Sequence, residues 1–77
     1  MQGVSVYKTS NNTLRINGLS KAKASVKMFT ILGKQVLNTT FDATGNNEIS
    51  LPKLATGVYI VQIQSEQGNL NKKIILE

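Results

Sequence analysis

The 77-residue sequence contains no cysteine and no histidine, and only four of its side chains are acidic. Without cysteine it forms neither a disulfide framework nor a thiolate zinc site. Without histidine it lacks the commonest general base and metal ligand. The acidic residues are scattered over different turns and strands, without the paired placement that acid–base catalysis needs: Asp42, Glu48, Glu66 and Glu77. We therefore predict a protein that is not an enzyme and binds no metal or other cofactor.

Long hydrophobic runs are also missing. No stretch of about 20 apolar residues is present, so the sequence predicts no membrane span. Residues 1–3 lead directly into a strand-like segment, without the basic region and apolar core of a signal peptide. A chain of 77 residues is long enough for one small domain, which buries only about 60% of its unfolded surface and has little room for a catalytic cleft. We predict a single domain over residues 1–77.

Basic side chains outnumber acidic ones by nine to four, which gives a net charge of +5. Such a charge attracts anionic partners such as nucleic acids or lipopolysaccharide. The cationic residues are spread along the whole chain, however, and aromatic residues make up only 5% of it, too few for a platform on which bases stack. We assign most of the lysines to solvated strand faces and to the protection of strand edges, and we predict no nucleic-acid partner.

Turn-forming residues interrupt the sequence about every 8 to 12 residues, which is typical of an all-β domain. The predicted turns are 10–12, 18–21, 32–33, 43–47, 52–57 and 67–69. Between them lie seven segments rich in Val, Ile, Thr and aromatic residues, which we predict to be strands: 4–8, 14–17, 24–31, 35–41, 48–51, 58–65 and 70–76. Residues 20–28 favour a helix locally, but their β-branched and aromatic continuation favours a strand.

The last third of the chain contains the spacing of a tyrosine corner, Leu54-x-x-Gly57-x-Tyr59. In this motif a Tyr near the start of a late strand of an immunoglobulin-like sandwich hydrogen-bonds back to the preceding loop. Both faces of the strand that follows are rich in apolar residues, so we expect it to be mostly buried. A turn around Gly68 then leads into a hairpin partner. The predicted fold is an all-β, seven-stranded antiparallel sandwich of the immunoglobulin-like or fibronectin type III-like kind.

The core of this sandwich is predicted from the apolar residues at alternate strand positions. The expected members are Val4, Val6, Leu14, Ile16, Val26, Met28, Val36, Ile49, Leu51, Tyr59, Val61, Ile63, Ile74 and Leu76. We also assign the four aromatic residues mostly to the core: Tyr7, Phe29, Phe41 and Tyr59.

Two blocks of this sequence resemble a known family. One block runs from Leu51 through LATGVYIVQI to Gly68 and the Lys-Lys-Ile-Ile of residues 72–75, and the other is VKMFTILGKQV at residues 26–36. Together they are similar to the type A C-terminal sorting domain of the bacterial type IX secretion system. Many members have a Pro-Asn-Pro loop after the first strand, whereas this chain has Lys-Thr-Ser-Asn-Asn at residues 8–12, which we interpret as a variant loop.

The resemblance implies a non-catalytic secretion signal. A fused cargo would reach the periplasm by its own leader, and the outer-membrane translocon, a shuttle protein and a sortase would then recognise the domain, leaving the cargo secreted or on the cell surface. Because residues 1–3 contain no leader, we expect the domain to be the C-terminal part of a larger secreted cargo protein. The alternatives are a carbohydrate-binding or adhesive module of an extracellular enzyme, and a structural spacer.

Adjacent lysines on the last strand are the candidate recognition residues. Lys72 and Lys73 point to opposite faces, so that only one of them can face the core side, where it must lie at a rim. They either protect a strand edge or form, with Ile75 and Glu77, a surface that a partner reads. The structural motif residues are Leu54, Gly57, Tyr59, Gly33 and Gly68.

A calcium site is the other binding site that the sequence allows. The residues that would form it are Asp42, Asn46, Asn47 and Glu48. Their spacing does not match an EF-hand loop, and Asn, Asp and Gly are ordinary turn residues, so we favour a plain turn here.

Overall fold

The computed structural model describes residues 3–10 and 12–77, which form seven β-strands and no helix. The strands are β1 (Ser5–Lys8), β2 (Thr13–Asn17), β3 (Lys23–Thr30), β4 (Gln35–Asp42), β5 (Asn46–Ser50), β6 (Gly57–Ser65) and β7 (Gly68–Leu76). Each strand begins and ends within two residues of a predicted segment, and the region with local helix preference belongs to β3 and the loop before it. Asn11, in the predicted turn at 10–12, lies outside the described residues.

The strands form two antiparallel sheets that share one hydrophobic core. The three-stranded sheet has the order β1-β2-β5, and the four-stranded sheet has the order β4-β3-β6-β7. Consecutive strands pair as hairpins at β1–β2, β3–β4 and β6–β7, while β2 pairs with β5 and β3 pairs with β6 across longer connections. The all-β prediction is therefore confirmed, with β4 and β7 as the two edges of the larger sheet.

Side chains alternate between the two faces of each strand, and one face of each sheet lines the core. In the four-stranded sheet Val26 lies opposite Ile63, and Met28 lies opposite Val61. All four are completely buried. Of the predicted core residues, eleven are buried and the other three are partly buried and pack against them: Val4, Val36 and Ile49. Leu19, Ala24 and Ala43 are buried core residues that the strand pattern did not predict.

The assignment of the aromatic residues to the core is only half right. Tyr59 is buried in the core and Phe41 packs against it. Tyr7 is 42% exposed on the outer side of the three-stranded sheet, and Phe29 is partly exposed and outside the core cluster. The reason is the strand period, because Tyr7 follows the buried Val6 and Phe29 follows the buried Met28.

Asn47 is a buried polar residue that supports the β4–β5 connection. Its Nδ2 donates hydrogen bonds to the carbonyl of Ile16 at 3.0 Å and to that of Thr44 at 2.7 Å, and its Oδ1 accepts from the Thr44 amide at 2.8 Å. Asp42 forms an ion pair with Lys23 and is not part of this network. The polar atoms of Asn47 are thus committed to the backbone, which favours the plain turn over calcium binding.

Candidate recognition surface

The tyrosine corner is present at the start of β6. Tyr59 Oη donates a hydrogen bond of 2.7 Å to the carbonyl oxygen of Ala55, in the loop before the strand. Leu54, in the same loop, packs against the core. Gly57 has φ +151°, which side chains rarely adopt, although no atom lies within 4 Å of the position that a Cβ would take. Gly57, named from the sequence as a structural motif residue, is therefore required here for its backbone conformation and not for a close approach.

Two hairpin turns place the other motif glycines. Gly33 has φ +93°, and its amide donates to the Thr30 carbonyl at 2.9 Å, so the turn predicted at residues 32–33 is present with Gly33 in the left-handed region. The β6–β7 turn lies slightly earlier than predicted, since Glu66 and Gln67 form its loop and Gly68 already pairs with Ser65. These turns hold β3 against β4 and β6 against β7.

The candidate recognition residues of β7 lie on a sheet edge and divide between its two faces. Lys72 lies opposite Val61, on the core side, and Lys73 lies opposite Ile60, on the outer side. Both lysines are exposed, so Lys72 reaches solvent at the rim of the core. Ile75 is 62% exposed on the same face as Lys73. The structure therefore brings Lys73 and Ile75 together and places Lys72 apart from them, while Glu77 is exposed just after the end of β7.

One end of the outer face of the four-stranded sheet is apolar. Phe29 lies opposite Ile60, and Val58 lies opposite Ile75. Phe29, Val58 and Ile60 are only partly buried, and within the described residues none of them belongs to the core cluster or packs against it. The expectation that β6 is mostly buried is confirmed, since within the strand only Gln64 is exposed, but the residues of its outer face are not part of the core. No third layer covers that face within the part of the chain that the structure describes.

The β3–β4 turn adds two more apolar side chains at this end of the sheet. Ile31 is 68% exposed and Leu32 is 94% exposed. We call the six residues Phe29, Ile31, Leu32, Val58, Ile60 and Ile75 the apolar face. Of these six residues, only Ile75 was predicted from the sequence to belong to a recognition surface. The signal that could have indicated the rest is the pair Ile31-Leu32, because apolar residues at the tip of a tight turn have no core to enter.

The opposite end of the same outer face is polar. Neighbouring residues of β4, β3 and β6 line a shallow, open depression of about 280 Å³ there, among them Thr40, Ser25 and Gln64. Gln62 pairs with Asn71 and Gln64 with Asn69 on the same face. This is the composition that a solvated sheet face normally has, so the apolar face stands out within its own sheet.

The outer face of the three-stranded sheet carries charged and polar groups. Arg15 lies between Tyr7 and Glu48 across the strands and forms an ion pair with Glu48. The Glu48 carboxylate, with a smaller effect from Tyr7, raises the pKa of Arg15. Asn17 Nδ2 donates to Tyr7 Oη at 3.3 Å. These contacts connect the polar groups of this sheet face, although Arg15 Nε and Asn17 Oδ1 are buried without a hydrogen-bond partner among the described residues.

Residues 3–10 and 12–77 contain no cluster of potential metal-ligating side chains. In particular, no group of three or more acidic side chains that could hold a metal ion is found among them. The same residues contain no helix with the length and apolarity needed to cross a membrane.

Comparison with known proteins assigns residues 4–77 to a family. A search of curated proteins found no match. The family model described as the secretion system C-terminal sorting domain matches residues 4–77, which include all seven strands. Both resembling blocks of the sequence and the tyrosine corner lie inside this match. The chain thus belongs to the family of C-terminal sorting domains of the type IX secretion system.

Proposed function

We propose that this domain directs a fused cargo protein from the periplasm across the outer membrane through the type IX secretion system. The observation that supports this most strongly is the family match, which covers residues 4–77. The domain would lie at the C-terminal end of a larger cargo. The outer-membrane translocon and a shuttle protein would bind it after it folds, and a sortase would cleave it, so that the cargo ends in the medium or on the cell surface.

We also propose that the fold is of the immunoglobulin-like or fibronectin type III-like kind. Two features support this: the sheets have three and four antiparallel strands around one core, and the tyrosine corner opens the next-to-last strand, β6. In this role the fold is a rigid support for a binding surface, and function depends on the exposed residues. Of the residues named from the sequence, we assign recognition to Lys72, Lys73, Ile75 and Glu77, all of them exposed.

A secretion assay tests this function directly. The domain is fused behind a fluorescent protein with a periplasmic leader and expressed in a bacterium with an intact type IX system and in a strain that lacks it. We expect fluorescence in the medium and on the surface of the first strain and retention in the periplasm of the second. Equal retention in both strains would contradict the proposal.

A separate variant is needed for Lys72 and Lys73, because protection of the β7 edge would also explain why lysines occupy these positions. Lys72→Glu combined with Lys73→Glu should reduce export of the fusion while circular dichroism shows an unchanged fold. A folded variant that is exported normally would leave these residues with the edge-protecting role alone.

The carbohydrate-binding alternative has weaker structural support. A sugar-binding module offers several exposed aromatic side chains on one surface, whereas here Tyr7 and Phe29 lie on different sheets. Capture of the isolated domain on immobilised glycans, with Tyr7→Ala losing it, would reverse this preference.

A further inference from the structure

The apolar face is not explained by the stability of the domain. The core already closes on the other side of the sheet, where Val26, Met28, Val61 and Ile63 are completely buried. Phe29, Val58 and Ile60 lie outside the core cluster, and Ile75 and Leu32 are mostly exposed. Soluble monomers expose single apolar residues routinely, but a contiguous apolar surface usually marks an interaction site.

The β3–β4 turn displays its apolar side chains on a rigid support. The Thr30 amide donates to the Lys34 carbonyl at 2.8 Å, and the Lys34 amide donates to Thr30 Oγ1 at 3.1 Å. Gly33 supplies the positive φ of the turn, so the two tip positions are free to hold polar residues. Instead they hold Ile31 and Leu32. A preorganised turn loses little conformational freedom when a partner binds it, which suits these side chains to serve as anchors.

Positive charge surrounds this apolar end. Lys73 lies opposite Ile60 on the outer face, Lys27 precedes Phe29 by two positions on the same face of β3, and Lys34 follows the turn. In the described residues the ion pairs involve Arg15 and Lys23, so these three lysines have no carboxylate partner. Of the described residues, Glu77 is the only acidic one near this end of the sheet, because it follows β7, which ends there. An apolar centre with a charged rim is the usual anatomy of a protein interface.

We infer that the apolar face is the surface by which the domain docks on a protein of the secretion machinery, an inference that rests on the proposed function. The partner is a protein with an apolar pocket that receives Leu32 and Ile31 and with carboxylates around the pocket that face Lys34 and Lys73. Apolar contact supplies most of the affinity, and the charges guide the encounter and fix the orientation. Lys72, on the core side of β7, lies outside this contact, so the recognition role proposed for it above is separate from the apolar face.

The test uses the same fluorescent fusion with substitutions on the apolar face. Leu32→Ser with Ile75→Ser removes two exposed anchors, and Lys34→Glu with Lys73→Glu reverses the rim charge. We expect each double variant to lower export at least about tenfold, as loss of interface hot spots does. The matched control is Tyr7→Ser with Lys21→Glu, which alters an exposed aromatic residue and an exposed lysine away from this face. It should be exported like the unchanged domain.

The outcomes distinguish failure of the docking surface from failure of the proposed export function. If the unchanged fusion stays in the periplasm of the strain with the intact system, the proposed function fails and the docking surface fails with it. If the unchanged fusion is exported and the Leu32/Ile75 variant is exported equally well, only the docking surface is refuted. Circular dichroism of each purified domain excludes loss of folding as the cause of lost export.

Separate measurements test two other occupants of the apolar face, a lipid membrane and a second copy of the domain. Flotation with vesicles of phosphatidylethanolamine and phosphatidylglycerol should leave the domain unbound. Binding that Leu32→Ser with Ile75→Ser abolishes would show a lipid-contacting face and overturn the protein partner. Sedimentation of the unchanged domain should give a monomer, and a dimer that the same variant dissociates would show that a second copy covers the face.

Discussion

Removing one hydroxyl group, by Tyr59→Phe, tests the tyrosine corner. The hydroxyl donates to the Ala55 carbonyl at 2.7 Å, an ordinary length for such a bond. The ring is only 6% exposed and stays in place when the oxygen is lost. A hydrogen bond of this kind contributes about 0.5–1.5 kcal/mol net. Because Ala55 is exposed, water can hydrate its freed carbonyl, so we expect a loss of about 1 kcal/mol, near the middle of that range.

Urea unfolding followed by far-ultraviolet circular dichroism measures this loss in a chain that has no tryptophan. With a slope of about 1 kcal/mol per molar urea, the midpoint should fall by about 1 M. In a thermal scan the same loss lowers the Tm by about 4–8 °C, as expected for a domain of 60–100 residues. A domain of this size has a total stability of roughly 4–12 kcal/mol, so the variant should remain folded.

The matched control is Tyr7→Phe, which removes the same group from the outer face of the three-stranded sheet. Its hydroxyl accepts a longer bond, 3.3 Å, from Asn17 in an exposed setting. We expect a change within about 0.5 kcal/mol. Equal stability of Tyr59→Phe and the unchanged domain, or equal losses in the two variants, would refute the argument that the corner stabilises the start of β6.

Three further predictions concern the fold. Asn47→Ala removes the side-chain hydrogen bonds to the carbonyls of Ile16 and Thr44 and should cost about 1–3 kcal/mol in urea unfolding; an unchanged midpoint would mean that water replaces the amide. Gly18→Ala places a Cβ 1.9 Å from the Gly3 carbonyl oxygen and should cost about 1–3 kcal/mol, which a normal Tm would contradict. Ile63→Ala should cost about 2–5 kcal/mol and Ile75→Ala less than about 0.5; similar losses would disprove the assignment of inner and outer faces.

The strands and the corner could be predicted because their signals are local. A run of β-branched residues between turn residues needs no knowledge of distant contacts, and the spacing Leu54-x-x-Gly57-x-Tyr59 lies within six residues. The seven strands follow from the first signal and the Tyr59–Ala55 hydrogen bond from the second.

Features that depend on pairing between strands distant in the sequence could not be predicted from such local signals. Asn47 looks like a turn residue, and it is buried only because β5 pairs with β2 and brings it to the carbonyl of Ile16. Ala24 and Ala43 are too small to indicate a core position by themselves, and the register of β3 places Ala24 inside. Long-range register, rather than local preference, decides these positions.

The apolar face shows why the site was harder to predict than the fold. In β6 both alternating sets contain apolar residues, Tyr59 and Val61 on one face and Val58 and Ile60 on the other. A period of two separates the sets but does not say which one is covered. The structure assigns the first set to the core through its pairing with Met28 and Ile74. Stability should therefore depend on one face of β6 and recognition on the other, so that export can be lost in a domain that remains fully folded.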